Sequence, residues 1–313
     1  MARGPAEKPV AQGWPALYDL AVTADDTPFL IAADGGGTGC RIALLAGTRR
    51  VDLALGPANV HADPTGAVAT LRDGLARLAA MAGLAAPDLS RAVGYFGLAG
   101  ANAPAAAARV ERCLPLARVR VQDDRRAAVV GALGGGDGTL AGIGTGSFFA
   151  RQRDGAVDLR GGWGFVLGDE ASGGWLGRLA LARVLHAADG IAADSDLTRA
   201  LAARFGGPAG ILTFVAEARP GEIAALAPDV VAAAQAGDAT GLALMRAGAD
   251  HIVRAAAALG WQAPEPFCPF GGLGRAYLPY LPTPLVDAAR APRGSALDGA
   301  LVLAARLAAE DRP

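Results

Sequence analysis

A glycine-rich stretch between two apolar runs is the feature that most constrains the fold of this chain. The stretch "FLIAADGGGTGCRIALLAG", residues 29–47, places Asp34 and four glycines between two segments typical of β-strands. Glycine at such a position lets the backbone turn sharply or approach a ligand closely. The pattern therefore predicts a hairpin whose turn is a nucleotide-phosphate loop, a dinucleotide loop or a plain turn.

Two familiar phosphate-binding arrangements do not fit this stretch. A dinucleotide loop requires GxGxxG between a strand and a helix, and that register is absent here. A Walker loop and a protein-kinase site both require a lysine beside the phosphates, whereas the only lysine of the chain is Lys8. Backbone N–H groups of a turn bind phosphate without a lysine. In that arrangement Asp34 holds Mg²⁺ through water and Thr38 adds a hydroxyl.

A similar strand, glycine turn and strand recur later in the chain. Residues 139–143 and 147–153 predict strands on either side of the sequence Gly-Thr-Gly at residues 144–146. A third glycine loop, residues 271–274, follows a short apolar run. The recurrence predicts an α/β protein of two related halves, which agrees with a length of 313 residues.

Charge and cysteine content exclude several functional classes. The net charge of −1 gives no electrostatic reason to expect nucleic acid or an anionic membrane as a partner. The three cysteines are far apart and lack metal-ligand spacing, so we expect a reduced, cytoplasmic protein without a disulfide or zinc site. No window reaches the roughly 18 apolar residues of a membrane span. Residues 1–28 contain four prolines and do not resemble a signal peptide.

Four motifs together resemble a known family. They are DGGGT at 34–38, GTGS at 144–147, "GGWGFVLGDEASGGWLG" at 161–177 and the late GG at 271–272. In this order, over residues 29–308, they resemble the actin/hexokinase-like sugar kinases. The closest resemblance is to the N-acetylglucosamine kinase branch, which includes bacterial glucosamine kinases and related ATPases. The third motif is the most specific, because DGGGT is shared by the whole superfamily.

The resemblance implies an α/β fold of two ribonuclease H-like lobes with a cleft between them. Residues 1–28 are expected as an N-terminal extension that is not part of the family pattern. Residues 29–122 are expected to form the first lobe and residues 123–294 the second. A C-terminal helix, residues 295–313, is expected to pack back on the first lobe.

The resemblance also implies two cofactors, ATP and Mg²⁺, and assigns residues to each ligand. Asp34 is expected on the metal. The nucleotide contacts are expected from the glycine loops, at Gly35, Gly36, Gly37, Thr38, Gly144, Thr145, Gly146, Gly271 and Gly272. The sugar contacts are expected from Asn59, Gly162, Trp163, Gly164 and Asp169. Asn102 is also placed on the sugar, because its loop lies between a predicted strand and helix.

The catalytic base is implied to be an aspartate that begins the helix after the last strand of the first half. The sequence "VQDDRRAAV" offers Asp123 and Asp124, and the alanines that follow favour Asp124. A carboxylate there accepts the proton of the attacking hydroxyl, and we expect it to be ionised at neutral pH with an ordinary pKa. Structural roles are the alternatives. Either aspartate caps its helix, Trp163 and Trp175 are core residues, and Asp169 with Glu170 forms an acid pair at a helix start.

The implied activity is transfer of the γ-phosphoryl group of ATP to the 6-hydroxyl of an amino sugar. N-acetylglucosamine is the preferred substrate and glucosamine the alternative, since no motif encodes recognition of the acetyl group. Another class in the superfamily is an ATPase switch related to the activators of 2-hydroxyacyl-CoA dehydratases, but their closely placed cluster cysteines are absent here. A sugar-sensing regulator requires a DNA-binding segment, and none is evident. The expected partners are a small-molecule sugar and ATP, with a possible homodimer.

Overall fold

The computed structural model describes residues 29–37 and 39–310. Thr38, the predicted extension at residues 1–28 and the last three residues of the chain lie outside the described residues. The chain forms two compact units. The first extends to Gly135 and resumes at Pro292, and the second spans Gly136–Ala291. Among the described residues, no helix is long and apolar enough to cross a membrane.

The first unit is built on a mixed five-stranded sheet. Its strands are β1 (Leu30–Gly35), β2 (Cys40–Ala46), β3 (Arg49–Leu55), β4 (Val93–Leu98) and β5 (Arg118–Gln122). They lie in the order β3-β2-β1-β4-β5, with β1 antiparallel to β2 and with β1, β4 and β5 parallel to one another. The helices within this part of the chain are α1 (Pro64–Ala82), α2 (Ala86–Ser90), α3 (Pro104–Glu111) and α4 (Asp124–Leu133).

Alternate residues of the central strands pack on opposite faces of this sheet. Ile31 and Phe96 belong to an apolar cluster that includes residues of α1, whereas Ala32 and Tyr95 belong to a second cluster that includes residues of α4. With both faces covered, β4 is buried along its whole length, as is typical of a parallel strand in an α/β sheet. The parallel arrangement places the carboxyl ends of β1, β4 and β5 at one edge of the sheet.

The second unit has a mixed four-stranded sheet and most of the helices. Its strands are β6 (Gly138–Ile143), β7 (Ser147–Arg153), β8 (Ala156–Gly161) and β9 (Phe267–Phe270), in the order β8-β7-β6-β9. The helices are α5 (Gly173–Ala188), α6 (Asp196–Phe205), α7 (Gly207–Glu217), α8 (Pro220–Ala224), α9 (Ala227–Gln235), α10 (Ala239–Ala258) and α11 (Thr283–Asp287), with a 3₁₀ helix at Gly274–Tyr280. Sequence analysis did not predict β8, whose residues alternate between exposed and half-buried.

The last helix, α12 (Ala296–Ala309), packs against α4 in the first unit. The two helices cross where both have glycine. A Cβ atom added to Gly131 would lie 1.9 Å from the backbone oxygen of Ser295, and one added to Gly299 would lie 2.0 Å from that of Ala127. Because of this packing α4 lies in the first unit. The units therefore divide after Gly135, whereas the sequence placed the boundary before α4, at residues 122–123.

Candidate active site

The predicted phosphate loop is the turn between β1 and β2. The turn is closed by a hydrogen bond from the amide of Gly36 to the carbonyl oxygen of Gly39, at 2.9 Å. A Cβ atom on Gly35 would lie 2.8 Å from Cδ2 of Leu98, so the backbone approaches β4 here as only glycine allows. Thr38, the expected hydroxyl of this loop, lies outside the described residues.

Asp34 is paired with an arginine that sequence analysis did not identify. Asp34 and Arg41 are register partners across the hairpin, so their side chains project from the same face of the sheet. Nη2 of Arg41 donates to Oδ2 of Asp34 at 2.6 Å. The sequence signal was available, since a residue directly opposite Asp34 follows from the length of the turn.

Asp124 and Asp34 line the same pocket, which lies within the first unit and has a volume of about 420 Å³. Asp34 is near the end of β1, and Asp124 begins the helix that follows β5, so the parallel strands bring the two carboxylates to one edge of the sheet. The complete lining is Asp34, Gly36, Gly39, Cys40, Arg41, Ala54, Leu55 and Asp124. Arg41 is the cationic residue of this lining.

The expectation of an ordinary pKa for Asp124 is wrong. Burial, together with the negative charges of Asp123 and Asp34, raises the pKa of this carboxyl to about 7. The positive charge of Arg125 opposes the shift only in part. Asp124 is therefore poised to exchange a proton near neutral pH. Burial likewise raises the pKa of the Cys40 thiol to about 12, so this thiol stays protonated.

Asp123 has a different environment from its neighbour. Its carboxylate caps α4 by accepting from the backbone amide of Arg125 at 3.1 Å, and the Arg125 side chain pairs with the same oxygen. The helix-capping alternative therefore describes Asp123. Asp124 is the one of the pair that lines the pocket.

The two pocket carboxylates suit a magnesium–nucleotide complex. Within the part of the chain that the structure describes, no three His, Cys, Asp or Glu side chains are grouped closely enough to hold a metal ion by themselves. Mg²⁺ bound with a nucleotide needs one or two carboxylates, because phosphate oxygens and water complete its shell. The negative charge of Asp34 helps to raise the pKa of Asp124 across one pocket, which is a charge environment that a divalent cation relieves.

Asn59 lies beside the phosphate loop with one end of its amide already engaged. Its Oδ1 accepts hydrogen bonds from the backbone amides of His61 and Ala62, both at 2.9 Å. The amide nitrogen lies on the side of the loop, since a Cβ atom on Gly37 would be 3.9 Å from Nδ2. Asn59 can therefore donate to a ligand while its oxygen holds the turn.

The loops that follow β1, β3 and β4 are tied together by backbone hydrogen bonds. The amide of Ala58 donates to Gly36, that of Val60 donates to Ala99, and that of Ala99 donates to Gly35. A Cβ atom on Gly100 would be 3.0 Å from Oδ1 of Asn59. The loop that includes Asn59, a predicted sugar contact, thus adjoins the predicted phosphate loop between β1 and β2. Asn102 follows Gly100 in the loop after β4 and is exposed.

In the second unit, two of the glycine loops meet at one edge of the sheet. The turn at Gly144–Gly146 joins β6 to β7, and β9, which runs parallel to β6, ends at Phe270 next to Gly271. A Cβ atom on Gly271 would be 2.4 Å from the backbone oxygen of Ile143, and its φ of +86° also favours glycine. Gly272 has open space around its α-carbon. The predicted nucleotide residues of this unit are therefore neighbours.

The Trp163 loop, residues 162–168, lies between β8 and the segment that precedes α5. Trp163 is 78% exposed, so the alternative that it is a core residue is wrong. The amide of Gly164 donates to Oδ1 of Asp169 at 3.2 Å, and a Cβ atom on Gly146 would be 2.7 Å from Oδ2 of the same carboxylate. Asp169 therefore lies between the Trp163 loop and the Gly144–Gly146 turn. Gly162 belongs to this loop as well, with a φ of +72°.

The segment after the Trp163 loop is strained, and it is not a helix start. Asp169 and Ala171 both have a positive φ, at +57° and +69°, which is costly for residues with a Cβ and is typical of functional sites. The N-cap of α5 is Ser172, whose hydroxyl accepts from the amide of Trp175. The alternative that Asp169 and Glu170 are an acid pair in the first turn of this helix is therefore wrong.

Comparison with known proteins identifies the family of this chain. The model of the BadF/BadG/BcrA/BcrD ATPase family matches residues 33–273, which include the glycine loops of both units. The chain belongs to the BadF/BadG/BcrA/BcrD ATPase family. Membership in this ATPase family implies ATP binding and confirms the resemblance stated from the sequence.

Relatives and solved structures agree with this assignment. The chain is 26% identical over 282 residues to the glucosamine kinase GspK of Vibrio cholerae, covering 89% of this chain and 96% of that protein. A structure from Chromobacterium violaceum, provisionally described as an N-acetylglucosamine kinase, is 34% identical, covers 88% of this chain and 99% of its own, and has a TM-score of 0.80. A ROK-family transcriptional regulator described as a homologue of E. coli MLC covers 89% of this chain and 78% of its own, at 15% identity and a TM-score of 0.56, which shows the fold alone. The predicted actin/hexokinase-like α/β fold is confirmed.

Proposed function

We propose that this protein is an ATP-dependent kinase that phosphorylates the 6-hydroxyl of an amino sugar. The observation that carries the proposal is the pocket in which Asp34 and Asp124 meet the glycine hairpin. Similarity to a glucosamine kinase over nearly its full length, and to a structure described as an N-acetylglucosamine kinase, supports the sugar class.

Asp124 is the proposed catalytic base. As the 6-oxygen of the sugar attacks the γ-phosphorus, its proton passes to a carboxylate oxygen of Asp124, and ADP leaves with the bridging oxygen. A pKa of about 7 suits this role, because a general base is most effective when its pKa is near the working pH. Asp123 keeps the helix in place by its cap and its ion pair.

Asp34 is the proposed residue for Mg²⁺. When bound with ATP, Mg²⁺ neutralises charge on the phosphate oxygens. In the structure Arg41 pairs with Oδ2 of Asp34 at 2.6 Å, and the carboxylate of Asp34 would hold the metal when a magnesium–nucleotide complex binds. We propose that Arg41 then donates to a phosphate oxygen, which a guanidinium can do with two parallel N–H groups.

The remaining proposed contacts with nucleotide and sugar come from the glycine loops, Asn59, Asn102 and the Trp163 loop with Asp169. The proposed phosphate contacts are the backbone of Gly35, Gly36 and Gly37, with Thr38. Further proposed nucleotide contacts are Gly144, Thr145, Gly146, Gly271 and Gly272. Asn59 donates through Nδ2 to a sugar hydroxyl, Asp169 accepts from one, and the exposed ring of Trp163 covers an apolar face of the sugar together with Gly162 and Gly164. Asn102 is a further proposed sugar contact.

A coupled assay of ADP release tests the proposal. Purified protein with Mg-ATP is supplied with N-acetylglucosamine, glucosamine, glucose or no sugar, and Asp124→Asn serves as the inactive control. We expect turnover that depends on an amino sugar, with N-acetylglucosamine preferred and glucosamine the alternative. ADP release that does not respond to any sugar would refute the kinase and favour an ATPase switch.

A further inference from the structure

One half-buried ring anchors the otherwise exposed Trp163 loop. Trp163, Val166 and Leu167 are 78%, 77% and 85% exposed, whereas Phe165 turns inward and is half-buried. Gly164 has a φ of +87°, and its carbonyl accepts from the amide of Gly168, so the loop closes as a tight turn around Phe165. The Phe165 ring is therefore the main apolar attachment of this loop to the unit beneath it.

The ring rests on the first turns of α5. A Cβ atom on Gly174 would lie 2.9 Å from Cδ2 of Phe165, so the ring occupies the space that a larger residue would fill. The guanidinium of Arg178, one helical turn further on, lies 5.7 Å from the ring centre, within the range of a cation–π contact. The Phe165 ring thus packs between the backbone of α5 at Gly174 and the guanidinium of Arg178.

The same stretch of backbone holds the Gly144–Gly146 turn. The amide of Gly174 donates to the carbonyl of Thr145 at 3.0 Å, and the amide of Gly173 donates to Gly144 at 2.8 Å. A Cβ atom on Gly174 would be 3.1 Å from the Thr145 oxygen. The Phe165 ring and the Gly144–Gly146 turn therefore touch the same residue, Gly174.

A buried hydrogen bond fixes the segment from Asp169 to Ala171, which follows the Trp163 loop. The hydroxyl of Tyr277 donates to the carbonyl oxygen of Ala171 at 2.7 Å, and Tyr277 itself is fully buried against Gly248. The segment from Asp169 to Ala171 therefore keeps its positive-φ geometry. The Trp163 loop can move relative to this segment, because most of its side chains are exposed and its glycines permit several backbone conformations.

We propose that Phe165 is a positioning residue that couples the Trp163 loop to the Gly144–Gly146 turn. The inference rests on the proposed function, in which sugar contacts the loop and nucleotide contacts the turn. A ligand that orders the loop holds the ring in its place on Gly174 and restricts the turn, so the second ligand loses less conformational entropy on binding. Because coupling of binding free energies is reciprocal, each ligand raises the affinity for the other by the same factor.

Calorimetry on the unmodified protein and two variants of Phe165 tests this coupling. The dissociation constant of a non-hydrolysable ATP analogue is measured with and without saturating amino sugar. For the unmodified protein we expect a coupling factor within the usual range of about 5- to 150-fold. Phe165→Ala should reduce the factor to nearly one while the affinity for the analogue alone changes little. Phe165→Leu, which keeps an apolar anchor, should retain part of the coupling.

Phe205 in α6 offers a matched control. It is also half-buried, the guanidinium of Arg204 lies 5.5 Å from its ring centre, and its ring packs 4.7 Å from that of Phe214. Phe205→Ala therefore removes a comparable contact from helices outside the two loops, and we expect it to lower stability but keep the coupling. Full coupling in Phe165→Ala, no coupling in the unmodified protein, or equal loss in Phe205→Ala would each overturn the inference.

Hydrogen exchange separates this inference from the proposed function. With the ATP analogue alone, we expect slower amide exchange in residues 162–168 of the unmodified protein and no such protection in Phe165→Ala. If no amino sugar binds or reacts but this protection is found, the kinase proposal fails and the link between turn and loop stands. If amino sugars are phosphorylated but the analogue does not protect the loop, the link fails and the kinase stands.

Discussion

At the scale of single residues, two opposing effects act on the pKa of Asp124. It begins α4, where the helix dipole favours a carboxylate, yet burial and two neighbouring acids raise its pKa to about 7. The raised pKa shows that the penalties outweigh the dipole. A carboxyl whose pKa is shifted this far by burial and by specific charges beside a pocket is typical of an active site.

Replacing Asp124 should therefore affect rate and pH dependence together. We expect Asp124→Asn to lower kcat by roughly 10²- to 10⁴-fold, the usual contribution of a general base. In the unmodified enzyme, kcat/KM should fall as pH decreases through about 7, where Asp124 takes up its proton. The residual activity of Asp124→Asn should lack this acid limb. Steady-state kinetics from pH 5.5 to 9 measure both effects.

Asp123→Ser is the matched control, since serine can keep the helix cap. It should retain most of the activity and keep an acid limb, which moves to lower pH because the charge of Asp123 no longer raises the pKa of Asp124. Loss of activity in Asp123→Ser equal to that in Asp124→Asn would contradict the assignment of the base.

Asn59 allows its structural and ligand roles to be separated. Its Oδ1 holds the amides of His61 and Ala62, and Nδ2 is the remaining donor. Asn59→Asp keeps an acceptor for both amides but removes the donor, so we expect an intact fold and a KM for the sugar raised by about tenfold or more, the equivalent of one hydrogen bond. Asn59→Ala should also lower the melting temperature. An unchanged sugar KM in Asn59→Asp would mean that Asn59 only shapes its turn.

The sequence identified which residues are candidates for the site, but it did not show their contacts or their pKa values. The sequence favoured Asp124 over Asp123 only through the alanines that follow. The structure shows Asp124 in the pocket and Asp123 at the helix cap. Sequence analysis did not name Arg41, although strand register places that residue opposite Asp34. The pKa of Asp124 depends on burial and on charges distant in the sequence, so no local pattern could have given it.

At the scale of elements, the crossing of α4 and α12 depends on glycine. The Cβ positions of Gly131 and Gly299 are filled by backbone atoms of the opposing helix, at 1.9 Å and 2.0 Å. The two helices can approach this closely only while both positions lack side chains. This contact decides which unit includes α4, and with it the placement of Asp124 next to the first sheet.

Gly131→Ala should therefore destabilise the first unit. Alanine favours a helix by about 1 kcal/mol over glycine, but the backbone clash at 1.9 Å should reverse this gain and leave a net loss of about 1–3 kcal/mol. Chemical denaturation with equilibrium fluorescence measures the change. Gly221→Ala in α8 is the helical control, since a Cβ atom there meets nothing within 4 Å. It should be neutral or stabilising, and equal losses in both variants would exclude a specific role for the crossing.

Most elements could be predicted from the sequence because their patterns are local. Apolar runs bounded by glycine predict β1, β2, β6 and β7. The helical spacing of apolar residues at positions 64–82 predicts α1, and a proline at the start of residues 104–114 predicts α3. Sequence analysis missed β8, an edge strand whose sequence, AVDLRG, alternates apolar and charged residues over only a few positions.

At the scale of the whole molecule, the buried acid of the pocket makes stability depend on pH. The pKa of Asp124 rises from 3.8 to about 7 on folding. Between these values the folded protein keeps a proton that the unfolded chain has lost, so the free energy of unfolding decreases as pH rises and levels off above about 7. A shift of this size corresponds to at most about 4 kcal/mol.

Asp124→Asn removes this penalty. We expect its melting temperature to match that of the unmodified protein near pH 4 and to exceed it by several degrees at pH 8, as a variant that loses activity while gaining stability. Scanning calorimetry at pH 4, 6 and 8 measures the difference. A constant difference across this range would show that Asp124 is not the group that titrates.

The sequence by itself determined the family, the two glycine hairpins and most of the helices and strands, because motifs, turns and apolar periodicity are written in neighbouring residues. Tertiary structure alone decided where the first unit ends, which of two adjacent aspartates enters the pocket and what its pKa is. It also decided that Phe165, rather than Trp163, is the ring that attaches the loop to α5. These properties depend on close packing, burial and electrostatic interaction between segments that are distant in the chain, and such contacts exist only once the backbone has folded.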